Sequence, residues 1–312
     1  MSTVQKNQHY VWRYHLEAWA TGGKLFCYRC RAKNLFETIA KSVASEKYFY
    51  ETFELSPVDV DYLKGLIGKA SHKGLQDINR RFVQLFQLSF LMRERIKNSA
   101  ISEQENEKLC EQLRVIEKTV GESYHANIER NAQHILDSLR RGDDSFYSDS
   151  SQCSVFMYFL TNQYFRTPRM RALFESIPNP LPGLDLVRTG VVECHIYAAN
   201  VGAGLFLERN NYGIIFLVNN GRVPFITGDQ PVINMKTHKD TDVELFYPLS
   251  PKRAMLLTKD ASKLSPKERN VSVLEVENYN YAIYSACYDQ VYSNDRSYLG
   301  EITSLKKGIF TA

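Results

Sequence analysis

Between Glu103 and Leu139 the apolar positions Leu109, Leu113, Ile116, Val120, Tyr124, Ile128, Ile135 and Leu139 recur at three- and four-residue spacing. That period predicts one long amphipathic helix. Gly121 falls inside it, costs roughly 1 kcal/mol relative to alanine, and marks a place where the helix can bend or break. Upstream, Ser56-Pro57 is a helix-start signal, and Leu75, Ile78, Phe82 and Leu85 repeat with the same period, so helices are expected from about position 57. A further helix is expected from Gln152 to about Thr167. Its stripe of Phe156 and Phe159 continues through Gln163 and Arg166, and Pro168 disfavours helical geometry at Thr167. Arg166 therefore sits at a helix C-terminus, where the dipole favours a cation. The polar stretch Arg140 to Ser151 reads as a loop, and the three prolines of 178–182 as a rigid connection. After them comes a helix from roughly Asp185 to Leu207, whose Gly190, Ala198, Gly202 and Gly204 would admit a close neighbour.

In the last third the period shortens. Gly213 to Val218 and Arg222 to Thr227 flank Asn219-Asn220-Gly221, a pattern that predicts a tight hairpin. Glu244 to Tyr247 and Arg253 to Thr258 predict a second strand pair, and a tyrosine-rich helix, about Val276 to Tyr292, is expected to cover one face of this antiparallel sheet. Near the start, Lys24 to Tyr28 and Asn34 to Thr38 read as a short hairpin around a basic turn. The expectation is an α+β chain, a single domain over 1–312. It is helix-rich from 56 to 207 and sheet-rich from 213 to 312, with the segment 1–50 joining the sheet.

A length of 312 residues with 44% hydrophobic content suffices for a substantial core. The net charge of +4, from 39 basic and 35 acidic residues, permits contact with nucleic acid without requiring it. Six scattered cysteines do not form a disulfide framework, and Cys27-Tyr28-Arg29-Cys30 has zinc-ligand spacing without a second pair to complete four ligands. The chain shows neither a membrane-length apolar run nor a secretory leader, so a cytoplasmic location is expected. Phosphate-loop, serine-hydrolase and zinc-protease signatures are missing: at Gly68-Lys69, Leu63 stands where a phosphate loop needs its first glycine and Ala70 replaces its Ser/Thr.

Three polar islands stand out in apolar surroundings. They are Gln8-His9-Tyr10-Val11 in an aromatic opening with Trp12, Tyr14, His15 and Trp19; Gln163 and Arg166-Thr167-Pro168; and Thr227-Gly228-Asp229-Gln230-Pro231. Gln163 and Arg166 on a buried stripe need partners, because an unpaired buried amide costs about 1 to 3 kcal/mol and a charge more. An anionic ligand or an internal carboxylate would each satisfy Arg166. Asp229, on a turn after a strand, can orient His9, bind a divalent cation, neutralise Arg166, or bond backbone amides of its own turn. For His9 the choice lies between a proton-transferring or metal-ligating imidazole and a structural histidine. His15, His134 and His195 read as structural.

Together with Phe246-Tyr247-Pro248-Leu249-Ser250-Pro251, these islands resemble a widespread bacterial family of domains of unknown function. Its members share an Asn/Gln-His-Tyr-Val opening, a Gln-x-x-Arg-Thr-Pro, a Thr-x-Asp-x-Pro and a late aromatic-Pro-Leu-Ser-Pro. The resemblance spans nearly the whole chain; Trp12 stands where many relatives would carry proline. It implies candidate positions but no established activity. The leading expectation is a hydrolase of phosphodiester bonds, a nuclease suited to a phage-defence or toxin setting. His9 would be general acid or base, Arg166 would stabilise phosphoryl charge, and Asp229 would orient His9 or hold a metal. Gln163 and Tyr10 would position substrate. The basic clusters Arg80/Arg81, Arg93/Arg95/Lys97 and Arg140/Arg141 lie on or beside helices and read either as solvated faces or, with tyrosines elsewhere to stack on bases, as a nucleic-acid surface. The alternative is a non-enzymatic binding or interaction module whose polar island is structural or receives an anionic ligand.

Overall fold

The computed structural model describes residues 6–178, 181–237, 240, 242–260 and 262–305. The chain opens with β1 (Asn7–His9) and the one-turn α1 (Arg13–Leu16). Next, β2 (Leu25–Arg29) and β3 (Asn34–Thr38) form the expected antiparallel hairpin, with Leu25 opposite Thr38, and β4 (Ser45–Lys47) returns to pair with β1. Trp12 caps α1 at φ −57°, inside the range that proline would impose, so the tryptophan keeps the backbone of that turn. Its indole packs against Tyr14 and Phe159.

The helical region starts where Ser56-Pro57 places it. In α2 (Pro57–Gly68) the Ser56 hydroxyl and the Asp59 carboxylate cap each other's backbone N–H. α3 (Lys73–Lys97) follows, and α4 (Glu103–Arg141) runs between a Ser102/Glu105 capping box and Gly142 at φ 81°. α4 continues through Gly121. The glycine serves a close approach instead: a Cβ there would stand 2.6 Å from Tyr50 Cβ and 2.7 Å from Tyr50 O. α5 (Ser150–Phe165) begins at Ser150, just inside the end of the expected loop, because Asp149 caps it, and α6 (Pro168–Ser176) starts at the proline with Thr167 as its cap. Of the expected rigid connection at 178–182, Asn179 and Pro180 lie outside the described residues.

α7 (Leu186–Leu207) lies against α5, where Gly202 leaves the Thr161 hydroxyl 2.9 Å from a notional Cβ and Thr161 donates to the Ala198 carbonyl. By length and hydropathy α7 could cross a membrane, which the scan for uninterrupted apolar runs missed. Half of its most apolar window is buried within the fold, as in the core helix of a soluble protein.

In the last third, β5 (Gly213–Val218), β6 (Thr227–Gly228), β7 (Ile233–Asn234), β8 (Leu245–Ser250), β9 (Arg253–Thr258), β10 (Glu268–Asn270) and β11 (Gln290–Ser293) build two sheets around α8 (Val273–Ala286) and α9 (Arg296–Ser304). One has the order β10-β5-β9-β8-β7, antiparallel except for β10 against β5. The other has the order β3-β2-β11-β6, so the N-terminal hairpin does join the C-terminal region. The β8–β9 pair forms as expected.

The Asn219-Asn220-Gly221 hairpin does not form. Asn219 spends its side chain on the Val223 and Pro251 carbonyls and on the Gly221 N–H, and Phe225 N–H bonds to Pro251 O, which carries the chain away from β5. Along β5, Ile214 and Phe216 face a core with α4 and α5, while Ile215 and Leu217 face one with α8 and α9. The sheet is thus buried on both faces, which explains the unbroken apolar run.

Candidate functional site

Arg166 is the C-cap of α5, and its side chain is 1% exposed. One guanidinium nitrogen lies 2.5 Å from Glu129 Oε1 on α4 and 3.2 Å from Gln163 Oε1. The internal carboxylate that the sequence left open is therefore present. Burial works against the Arg166 charge, but Glu129, Tyr50 and Glu122 outweigh it and hold the group firmly protonated. Burial raises the Glu129 carboxyl, and Arg166 opposes the rise. Beside the pair is a cavity of about 20 Å³, room for about one water, lined by Tyr50, Phe165, Thr167, Arg171 and Cys194 as well as Arg166.

His9 ends β1, half-buried, with Nε2 3.2 Å from the Lys41 carbonyl. Burial holds its imidazole below the ordinary range; the Lys41 carbonyl pulls the other way, and the charges of Arg166, Arg13 and Lys41 add to the depression. Burial lifts the nearby Glu122 carboxyl to about 7, and the charge of Arg166 and the His9 backbone oppose the rise. His9, Glu122, Glu129 and Arg166 thus share one electrostatic neighbourhood.

Asp229 belongs to another. It is fully buried, and its carboxylate accepts the backbone N–H groups of Tyr288 at 2.7 Å, Asp289 at 2.6 Å and Gln290 at 2.8 Å. These amides form the turn from α8 into β11, and Asp229 N–H donates to Gln290 O across the β6–β11 pair. Gly228 is needed for this approach, since a Cβ there would meet Cys287 Cβ and Gln290 O at 3.3 Å each. Gln290 Nε2 donates to the Tyr10 hydroxyl at 2.8 Å, and Tyr10 is 4% exposed in the N-terminal core. Burial, with the Asp229 charge second, keeps the Tyr10 phenol protonated. Asp229 and Tyr10 are linked through Gln290, and neither lines the cavity beside Arg166.

The islands nevertheless touch. The Thr167 hydroxyl bonds to Gln230 Oε1, and Gln230 Nε2 donates to the Tyr164 and Val232 carbonyls. The opening is tied in by His15, fully buried, with Nε2 3.2 Å from the Thr227 hydroxyl and Nδ1 3.0 Å from the Tyr247 hydroxyl. Burial keeps its ring neutral, so one nitrogen donates and the other accepts. Gln8 donates to the Lys118 carbonyl at 2.5 Å and accepts from Tyr50 N–H at 2.7 Å. Arg140 reaches both the Tyr14 carbonyl and, at 3.4 Å, the Leu249 carbonyl. The three islands and the motif of residues 246–251 are joined in this way.

Reading the sequence missed Glu122, His125 and Glu129, which recur at i, i+3 and i+7 on one face of α4. It also missed the ring column Tyr50–His125–His195–Phe86, with centroids 4.2, 4.9 and 5.1 Å apart. Among the described residues the ring nitrogens of His125 and His195, Arg166 Nε, Gln163 Nε2 and Asn162 Oδ1 have no hydrogen-bond partner of good geometry. Cys30 Sγ lies 3.6 Å from Cys287 Sγ, and among the described residues no group of three or more His, Cys, Asp or Glu side chains is placed to hold a metal.

A helical bundle packed against two larger sheets, with buried polar bonds between them, defines an α+β protein. The model of the family described as Protein of unknown function (DUF4238) matches residues 7–179 and 195–297, and the chain belongs to that family. No curated protein and no solved structure gives a significant match.

Proposed function

We propose that this chain is a non-enzymatic binding module in which the polar islands act as an internal latch. One observation carries the reading: apart from the half-buried His9, the island side chains are buried and bond to one another, to neighbouring side chains and to nearby backbone, as in the three amides held by Asp229 and the Arg166–Glu129 pair. The Asp229 carboxylate, already accepting three backbone amides, has little acceptor capacity left for a substrate. The latch fastens the N-terminal segment and the bundle to the sheets, so that the surface they build stays in one shape for a ligand.

A second reading, a hydrolase of phosphodiester bonds, is favoured by the half-buried His9 beside Glu122 and Arg166, since a carboxyl near 7 is suited to proton transfer. One experiment separates the two. Purified protein is incubated with RNA and with DNA, with and without Mg²⁺ or Mn²⁺, and Arg166→Gln is unfolded in urea. The latch predicts no cleavage and a loss of about 3 kcal/mol, because Glu129 is left buried without its cation. Cleavage that His9→Ala abolishes while the fold survives would replace the latch with the hydrolase.

A further inference from the structure

A groove of about 780 Å³ runs between α3 and α5 with α7 as its floor. None of His9, Tyr10, Gln163, Arg166 or Asp229 lines it. The floor is low because α7 presents Ala199, Gly202 and Ala203 there, and a wall of α3 is made by Ile78, Leu85 and Leu88, which are 46, 39 and 52% exposed. So much contiguous apolar surface costs free energy in water unless something covers it. The volume is that of a small-molecule site. Two of its deeper polar atoms, the Tyr124 and Tyr158 hydroxyls, bond to each other at 3.1 Å.

Charge decides the occupant. Among the described residues Arg81 is the one charged side chain lining the groove. Among the described residues it has no ion-pair partner, whereas its neighbour Arg80 is held by Asp77 and Gln76, and Arg93 further along α3 by Glu117. An apolar trough with a single uncommitted cation at its rim complements a single-chain amphiphile with one negative charge. We propose that this groove binds a long-chain fatty carboxylate, its chain over Ala199, Gly202 and Ala203 and its head at Arg81.

The test is calorimetric titration of the full chain with hexadecanoate below its micellar concentration, beside hexadecyltrimethylammonium, which has the same chain and the opposite charge. Hexadecanoate is expected to bind with one-to-one stoichiometry. Arg81→Gln should weaken it about fivefold, the scale of an exposed ion pair, and Ala203→Phe should fill the floor and abolish binding with the circular dichroism spectrum unchanged. Should Ala203→Phe fail to fold, Leu88→Asp on the exposed wall serves the same purpose. Equal binding of both head groups, no saturable binding, or undiminished affinity in the floor or wall variant would overturn the proposal. So would a ligand-free dimer that does not bind hexadecanoate and that the floor or wall variant turns into a monomer, since the groove would then be the seat of a second copy.

Discussion

Replacing Asp229 by asparagine changes one oxygen into an NH₂ group and should unmake the turn between α8 and β11. Oδ1 accepts from Tyr288 N–H, while Oδ2 accepts from both Asp289 and Gln290. The amide can keep the first bond, but its NH₂ then faces two N–H groups, with no water to intervene at a fully buried residue. Two hydrogen bonds to a charged acceptor are worth about 1.5 to 3 kcal/mol each. Relief of the desolvation cost of the carboxylate offsets part of that. The expected net loss is about 3 kcal/mol, a large fraction of the stability of a marginally stable chain. Urea unfolding of Asp229→Asn and the parent at pH 7 measures it, with an unchanged m-value showing that the transition remains comparable. The loss should propagate to the opening of the chain, because Gln290 also holds the Tyr10 hydroxyl and accepts the Ala44 N–H. A variant within about 0.5 kcal/mol of the parent, or more stable than it, would refute the structural reading of Asp229 and return this carboxylate to the candidates for chemistry.

Glu122 gives a pH signature. Its folded carboxyl titrates at about 7, and an unfolded glutamate near about 4.3, so between those values the native state holds a proton that the unfolded chain has released. Its contribution to stability therefore falls as pH rises through that window. Glu122→Gln should remove this fall and be about 1 to 2 kcal/mol more stable than the parent at pH 8, after allowance for partial exposure; equal stability at pH 5 and pH 8 relative to the parent would contradict it. His195 gives the opposite slope, because burial depresses its ring to about 3 and the unfolded chain binds the proton first as pH falls below about 6.5. His195→Leu removes two unpartnered ring nitrogens and should gain about 1 kcal/mol at pH 7, and its stability should decline less steeply than the parent's in acid-unfolding curves. A destabilised variant would mean that those nitrogens have partners.

The long helices were legible because their stripes are periodic and their ends carry local caps, as at Ser56 and Ser102. The β2–β3 and β8–β9 pairs were legible for a similar local reason. The failures came where distant groups decide. Asn219-Asn220-Gly221 looks like a hairpin turn until the Pro251 carbonyl, 32 residues on, takes the Asn219 amide. The expected helix to Tyr292 ends at Ala286, with Cys287 extended, because the carboxylate of Asp229 captures the next amides and the chain resumes as β11. In the candidate site, the spacing of Gln163 and Arg166 showed a buried cation in need of compensation. Nothing local marked Glu129, 37 residues upstream, as the partner. His15 read as structural, but its reach to Thr227 and Tyr247 has no sequence signal at a separation of more than 200 residues.

The latch is tested most directly by a double-mutant cycle between Thr167, from the middle of the chain, and Gln230, from its last third, whose side chains meet in a buried hydrogen bond. Thr167→Val, Gln230→Leu and the double variant are unfolded in urea alongside the parent, and the interaction energy is taken from the four free energies. A latch predicts coupling of about 1 kcal/mol or more, with the double variant losing less than the two single losses together. Strict additivity of the two losses would mean that the islands are neighbours without being joined, and would contradict the account.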